Sequence, residues 1–391
     1  MKIFVLGLLF LTLLSGVPVA GSAQVQDTLP ERPFVRGGVY DRPYLTTLLG
    51  RTAIGGYAEM HARWERVDGL TEERGFELKR WNLFTATEVS DFIRISAEIE
   101  FEDGGQEITV EFAAIDFRIA PSFTVRGGML LSPIGRFNLA HDSPMNEFTD
   151  RPLVSRELLG TALSEPGLGV LGTVPLQGSG RITYEVYAVN GFHDGLVDDS
   201  PDGTRVPLGR GNFEDNNNVP AIVGRVAWSP SLNLAIGLSA HHGAYNVFNE
   251  EGLAVDQRRD LTMAAVDLEA VFSGFRMTGE GALIGIDISE DLTGVYASKQ
   301  HGFYFEILRD FGRGWIETMP ASFFSAGIRL DLIDLDADLP GDNTRQVTLG
   351  ANFRPTQDTV FKFNYVRGTS RDRFNNPADH GALLFSIATY F

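Results

Sequence analysis

Apolar and polar residues alternate along much of the chain. In 92–102 the apolar members are Ile93, Ile95, Ala97, Ile99 and Phe101, and the polar members are Arg94, Ser96, Glu98, Glu100 and Glu102. Successive side chains of a strand point to opposite faces, whereas a helix would scatter both sets around its circumference. The pattern therefore predicts strands with one apolar and one polar face.

The same alternation recurs in about sixteen segments, which are separated by turn-forming residues. The predicted strands are 51–66, 75–89, 92–102, 108–119, 123–132, 167–176, 181–190, 221–229, 233–247, 260–273, 275–288, 301–309, 322–334, 345–354, 359–368 and 381–391. Their connections alternate between tight turns, such as 273–274, and longer polar stretches. An even number of strands with short turns at one end and long loops at the other is typical of bacterial outer-membrane barrels.

We therefore predict an all-β fold, a transmembrane antiparallel β-barrel of about sixteen strands with a long inward loop. Closure is required because a strand in lipid has no water to satisfy its backbone groups. Sixteen strands leave an aqueous channel, whereas eight are filled by side chains. The alternative is a soluble exported β-sandwich or lectin. Against it stand the charge-dense polar faces and the final run Leu383, Phe385, Ile387, Thr389 and Phe391, apolar except for the threonine.

The first 23 residues have the pattern of a signal peptide. Lys2 supplies a basic start, 3–14 is an almost unbroken apolar stretch, and 19–23 offers small residues for cleavage near Ala23. The apolar run is too short for a transmembrane helix, which needs about 20 residues. Residues 24–50 then form a periplasmic lead or a plug segment, and 51–391 form the barrel in the bacterial cell outer membrane.

Composition agrees with export and narrows the range of partners. The chain has no cysteine, so it can form neither disulfides nor the lipid anchor of bacterial lipoproteins. Its formal net charge of −18 repels nucleic acid, and we expect no nucleic-acid partner. The acidic stretch 198–203 lacks the full pattern of a calcium loop, and we predict no metal and no cofactor.

Two long connections differ in character. Residues 133–166 combine charges with many apolar residues, which would form an exposed patch unless the segment folds into the barrel. We predict that it folds inward as a constriction loop. The alternative is a surface loop that packs on itself or on a neighbouring subunit. Residues 191–220 are polar and glycine-rich, and we predict an extracellular tip.

Several short stretches resemble the phosphate-selective porin family, in its broad sense, of Gram-negative outer membranes. They are Gly55–Glu59, Phe76–Arg80, Gly127–Leu130, Ser132–Gly135, Arg151–Val154, Glu165–Gly169 and Tyr187–Gly191. The resemblance covers roughly 51–391 and implies a sixteen-stranded, homotrimeric channel for small hydrophilic solutes or ions, among them anions such as phosphate. It also implies contact with outer-membrane lipid and lipopolysaccharide, and recognition of Phe391 by the insertion machinery.

The presumed lumen faces carry arginines interleaved with acids, and the mature chain keeps only Lys79, Lys299 and Lys362 as lysines. This is a departure from the basic ladders of phosphate-selective channels. The candidate pore-lining and constriction residues are Arg63, Arg94, Glu98, Arg118, Arg126, Arg136, Arg151, Arg156, Arg276, Glu280 and Arg329. The expected pairs are Arg63 with Glu59, Arg94 with Glu98 and Glu100, Arg276 with Glu280, and Arg329 with Asp331. Such pairs set a transverse field across a lumen, or else they only solvate the inner wall.

Two enzyme-like motifs fail on their context. Gly167–Gly172 fits a dinucleotide-binding pattern but runs into Thr173–Pro175 without opening a helix. His141, Asp142 and Ser143 are consecutive, so their side chains diverge and cannot relay a proton. We predict that the protein is not an enzyme, and an outer-membrane β-barrel enzyme is the alternative.

Overall fold

The computed structural model describes residues 45–49, 52–178, 180–198 and 200–391. The predicted signal peptide, 1–23, and most of the predicted periplasmic segment, 24–50, lie outside the described residues. Leu45–Leu49 of that segment is a short strand, antiparallel to the start of the first barrel strand. Within the described ranges, no helix is long and apolar enough to cross a membrane.

Sixteen antiparallel strands form a closed barrel, as predicted. Their bounds are β1 Thr52–Val67, β2 Leu70–Glu88, β3 Ile93–Glu102, β4 Glu107–Ala120, β5 Phe123–Leu131, β6 Ser164–Pro175, β7 Arg181–Val189, β8 Ala221–Ser231, β9 Leu234–Ala244, β10 Asp260–Phe272, β11 Phe275–Ile286, β12 Lys299–Phe311, β13 Phe323–Asp334, β14 Asn343–Arg354, β15 Thr359–Arg371 and β16 Pro377–Tyr390. Each strand pairs with the next along the chain. β16 pairs with β1, from His380 opposite Val67 to Tyr390 opposite Tyr57, and so closes the ladder.

The two faces of the strands follow the predicted alternation. On β3, Glu98 is fully buried inside the barrel, whereas Ile95 points outward with 40% of its surface exposed. On β1, Glu59 and His61 are buried inside and Trp64 is exposed outside. This arrangement is the inverse of a soluble β-sandwich, whose apolar faces meet in a core. The sandwich alternative is therefore wrong.

The last residue closes the barrel beside a glycine. The Phe391 N–H donates to the Gly56 carbonyl at 3.0 Å, and the Gly56 N–H donates to the Phe391 carbonyl at 3.2 Å. A Cβ at position 56 would lie 2.5 Å from the Phe391 ring, so only glycine fits there. The ring also stacks on Trp81, with 6.0 Å between the ring centroids. The C-terminus is thus part of the ladder rather than a tail.

The connection between β1 and β2 is shorter than predicted. The sequence pattern predicts a loop at 67–74, but the strands are joined by Asp68 and Gly69, whose φ angles are 48° and 83°. Positive φ at both positions defines a type I′ hairpin, for which Asp-Gly is a preferred sequence. As a result β2 has 19 residues, and its start at 70–76 is exposed on both faces.

The two ends of the barrel carry different connections. At the C-terminal end, where Phe391 lies, most turns are short, although the connection 312–322 is long. At the opposite end, here the long-loop end, lie the connections 132–163, 190–220 and 245–259, together with short ones at 68–69 and 103–106. The predicted alternation of short and long connections is only partly correct.

Two of the long connections fold into the barrel. The first is the inward segment, residues 132–163, and the second segment is 190–220. The apolar side chains that they bury together are Leu153, Val154, Leu158, Phe192, Leu196 and Val206. These pack with inward-facing side chains of the strands, including Met263, Ile284 and Tyr304. The inward loop is confirmed. The second segment, predicted as an extracellular tip, also places apolar residues in this core.

Candidate functional site

The inward segment is fastened to the barrel wall by a series of polar contacts, which begin at β9 and β11. The Gly135 N–H donates to the Ser239 hydroxyl at 2.8 Å. The N–H groups of Arg136 and Phe137 donate to one carboxylate oxygen of Glu280, at 2.7 and 3.0 Å. Gly135 has a φ of 70°, and a Cβ there would collide with the Glu280 carboxylate. Glu280 therefore holds a tight turn of the inward segment.

A second anchor is Glu147, which binds the wall at β11 and β14. Arg276, predicted beside Glu280, instead donates to Glu147 at 2.7 Å. Arg354 and the Asn352 amide donate to the same carboxylate at 3.1 and 2.9 Å. Burial alone would raise the pKa of Glu147, but the charges of Arg276 and Arg354 outweigh it and hold that pKa well below its usual range.

A third anchor, Asp150, joins the inward segment to β1 and β13. Its carboxylate pairs with Arg63, and its backbone carbonyl accepts a hydrogen bond from Arg329 at 2.8 Å. Arg329 also pairs with Asp331 at 2.9 Å, as predicted. The predicted pairing of Arg63 with Glu59 is wrong, because the Arg63 guanidinium reaches the inward segment instead.

The consecutive residues His141, Asp142 and Ser143 lie between these anchors and point to different strands. Their partners are Glu111 on β4, Tyr390 on β16 and Glu59 on β1. The three side chains diverge, as the sequence indicates, and do not form a proton relay. The other enzyme-like motif, Gly167–Gly172, lies within strand β6, with no helix after it in this part of the chain.

Two predicted arginines lie near the C-terminal end of the barrel. Arg94 is 3.7 Å from Glu88, and Arg118 pairs with the same carboxylate. The predicted pairing of Arg94 with Glu98 and Glu100 is therefore wrong. Residues four apart on a strand lie about 13 Å apart, whereas cross-strand neighbours such as Glu88 and Arg94 lie about 5 Å apart.

Two further predicted residues are buried on the inner wall. Arg126 binds Asp116 through two hydrogen bonds of 2.6 and 2.7 Å. Glu98 accepts a hydrogen bond from the Asn82 amide at 2.6 Å. Neither of these two contacts involves the inward segment.

The remaining predicted arginines belong to the inward segment itself. Arg136 binds Glu269 on β10 at 2.8 Å, and Arg156 pairs with its neighbour Glu157 at 2.7 Å. Arg151 donates through Nη1 to the Thr161 carbonyl at 3.3 Å. The predicted residues that belong to the segment or bind it are thus Arg63, Arg136, Arg151, Arg156, Arg276, Glu280 and Arg329.

Several interior charges that hold this network together were not among the candidate site residues. They are Glu59, Arg80, Glu147, Asp150, Arg354 and Lys362. Buried Arg80 lies 3.2 Å from Glu59 and 2.7 Å from Glu102. Lys362 donates to the Ser143 carbonyl at 2.8 Å. Those on strands occupy inward positions of the alternation, so the two-residue period could have identified them.

Solved structures similar to this chain include outer-membrane channels and porins. The outer membrane channel DcaP of Acinetobacter baumannii has a TM-score of 0.56 at 12% identity, over 87% of this chain and 97% of that chain. An anion-selective porin from Comamonas acidovorans has the same TM-score and identity, over 87% and 99%. Salmonella typhi OmpF, in complex with daunomycin, has a TM-score of 0.57 at 11% identity, over 88% and 98%. At these identities the likeness establishes the fold.

Sequence relatives add no functional assignment. Two proteins of Aquifex aeolicus strain VF5 match, and both are described only as uncharacterized. One is 25% identical over 360 residues, which are 85% of this chain and 79% of the relative. The other is 26% identical over 313 residues, and this chain spans 62% of it. No family model matches the chain.

Proposed function

We propose that the protein is a porin of the bacterial outer membrane, a water-filled channel for passive diffusion of small hydrophilic solutes or ions. The observation that carries the proposal is the closed sixteen-stranded barrel with an apolar exterior and a charged interior. Such an exterior suits lipid, and closure satisfies every backbone group of the spanning strands. A barrel of sixteen strands is wide enough for an aqueous path.

In this proposal the inward segment is the constriction of the channel. Its anchors include contacts on β9, β11, β14, β15, β16 and β1, so it occupies much of the interior. The residues that bring charge to the constriction are Arg63, Arg136, Arg151, Arg156, Arg276, Glu280 and Arg329. In the same proposal the inner wall outside the constriction is lined by Arg94, Glu98, Arg118 and Arg126.

The proposed solutes include anions such as phosphate. The arginines on the inward segment favour anions, and one similar structure is an anion-selective porin. Most interior arginines are paired with carboxylates, however. The net electric field in the lumen therefore depends on the few arginines that have no carboxylate partner. Reversal potentials measured across a salt gradient give the charge preference directly.

Location and partners follow from the same proposal. The predicted signal peptide and the placement of Phe391 in the ladder favour export and insertion through the C-terminal residue. The apolar exterior would contact outer-membrane lipid and lipopolysaccharide. We further propose a homotrimer, without a nucleic-acid partner, cofactor or catalytic activity.

Recording from purified protein in a planar lipid bilayer tests the proposal. Folded protein is first identified by its heat-modifiable migration on a gel. We expect stepwise, ohmic conductance, and none from the same preparation after boiling. Folded protein that inserts into the bilayer without conducting would contradict the channel function.

A further inference from the structure

We propose that Arg151 and Arg210 form a binding site for an oxyanion, a carboxylate or a phosphate, at the long-loop end of the barrel. Arg151 belongs to the inward segment and Arg210 to the second segment. The inference rests on the proposed channel function, because it names the chemical class of solute that the channel would concentrate where the constriction faces the long-loop end.

The first observation is an unused hydrogen-bonding edge on a half-buried arginine. Arg151 donates through Nη1 to the Thr161 carbonyl at 3.3 Å. Its Nε and Nη2 atoms are shielded from solvent and have no acceptor among the described residues. Shielded donors without an acceptor are rare in folded proteins, because the lost hydrogen bond is costly.

The same edge binds a carboxylate elsewhere in this barrel. Arg126 uses Nε and Nη2 to hold the two oxygens of Asp116, at 2.6 and 2.7 Å. Arg225 uses the same two atoms to hold Asp267, at 3.0 and 2.7 Å. Parallel hydrogen bonds of this kind select planar or tetrahedral oxyanions. Arg151 therefore presents a geometry that this chain twice uses to bind a carboxylate.

The second observation is the approach of another unpaired cation. Arg210 donates through Nη1 to the Gly160 carbonyl at 3.0 Å and to the Thr161 carbonyl at 3.5 Å. Both guanidinium groups thus converge on the Thr161 carbonyl oxygen. Partial desolvation and the charge of Arg151 lower the pKa of Arg210, as expected for neighbouring cations. An anion between them would relieve this repulsion.

Glu102 and Glu107 attract Arg210, but their attraction does not outweigh desolvation and the charge of Arg151, so the pKa of Arg210 stays lowered. Within the described residues, neither Arg151 nor Arg210 has a carboxylate at ion-pair distance, unlike most interior arginines. Arg210 is exposed, so a solute can reach the pair. Thr161 lies three residues before β6 begins, which places the pair near the long-loop end.

Anion binding is tested first by single-channel recording in potassium chloride with added inorganic phosphate or acetate. Wild-type current should fall saturably with one or both anions, and comparing the two separates phosphate from carboxylate preference. Arg151→Gln should raise the half-inhibitory concentration about tenfold, which corresponds to about 1.4 kcal/mol. Arg151→Lys keeps the positive charge but not the two parallel N–H donors of the guanidinium group. It should therefore lose most of the affinity for these anions. Arg258→Gln, an exposed arginine paired with Asp260, is the matched control and should behave as wild type.

Titration calorimetry of the folded, detergent-solubilised proteins with phosphate and acetate separates failure of the site from failure of the channel. Binding that is lost in Arg151→Gln and Arg151→Lys, but kept in Arg258→Gln, supports the site even if the protein does not conduct. Equal binding or equal current inhibition in wild type and both Arg151 variants overturns the site, even if all of them conduct.

Discussion

Arg276 on strand β11 donates a 2.7 Å hydrogen bond to Glu147 of the inward segment. Arg354 on β14 binds the same carboxylate oxygen at 3.1 Å. One glutamate is thus the counter-charge of buried Arg354 and one of two counter-charges of partly buried Arg276. Glu147 therefore ties the inward segment to two strands at once.

Replacing Glu147 by glutamine should destabilise the folded protein. The change leaves buried Arg354 without a counter-charge, whereas partly buried Arg276 keeps Asp310 at 2.8 Å. Breaking a buried ion pair in this way costs about 3–5 kcal/mol. The midpoint of thermal loss of the heat-modifiable band measures the effect. Glu157→Gln, which removes a partly exposed partner of Arg156, should change stability by no more than about 0.5 kcal/mol. Equal midpoints for Glu147→Gln and wild type would show that the anchor is unimportant.

The inward segment should loosen in acid but not near neutrality. Burial opposes ionisation of Glu147 and Asp150, but neighbouring arginines prevail and hold both pKa values below their usual range. A carboxylate with a depressed pKa gives its full stabilisation above the unfolded pKa of about 4, and loses it as the pH falls through the folded pKa. We therefore expect a docked segment from pH 7 to about pH 5 and progressive loosening below about pH 4.

A spin label attached through Met145→Cys measures this transition, because the chain has no other cysteine. Label mobility should be low and constant between pH 7 and pH 5. With Glu147→Gln added, the label should already be more mobile at pH 7. A wild-type segment that becomes mobile between pH 7 and pH 5 would contradict the assignment of these carboxylates as ionised anchors.

The outward and inward faces of β3 should respond differently to charge. Ile95→Arg places a cation on the exposed apolar face, two residues from the start of β3, and should cost about 1–2 kcal/mol in a membrane, between the values for the interface and the midplane. Glu98→Gln removes an interior charge while keeping the hydrogen bond with Asn82, and should chiefly change conductance and ion preference. Unfolding in lipid vesicles and bilayer recording measure the two effects. Similar destabilisation by both changes would place the lipid boundary elsewhere.

Deleting Phe391 should block assembly rather than export. The residue contributes two backbone hydrogen bonds with Gly56 and a ring stacked on Trp81 at the seam between β16 and β1. Fractionation of cells that make the truncated chain should find unassembled protein in the periplasm. Phe374→Ala, at an exposed phenylalanine of a long-loop-end connection, should assemble normally. Heat-modifiable, membrane-inserted protein without Phe391 would contradict this role.

The alternation of apolar and polar side chains was enough to predict the barrel, but not the ion pairs inside it. The alternation places Glu98 inside and Ile95 outside, because it depends only on local strand geometry. The ion pairs predicted between residues four positions apart, such as Arg94 and Glu98, were wrong, because such residues lie about 13 Å apart along a strand. The predicted pair was correct for Arg329 and Asp331, which are two apart on one face.

Contacts of the inward segment could not be read from the sequence for a different reason. Glu147 and Arg354 are 207 residues apart in the chain, and their meeting depends on the path of the segment through the closed barrel. Its apolar content predicts that it is buried, whereas the choice of wall depends on the whole set of anchors. The short turn at Asp68 and Gly69 was predictable from its Asp-Gly sequence, but the polar residues after it suggested a loop.

The most direct test of the account is removal of the inward segment from the lumen. Residues 138–160 are deleted and their ends joined by a short Gly/Ser linker, which removes the anchors at Glu147 and Asp150 and leaves all sixteen strands. Single-channel recording of the heat-modifiable protein should show higher conductance and weaker ion selectivity than wild type. A shortened protein that folds and inserts normally but conducts like wild type would show that the segment is not the constriction. A shortened protein that loses oligomeric stability at unchanged conductance would assign the segment to a subunit interface instead.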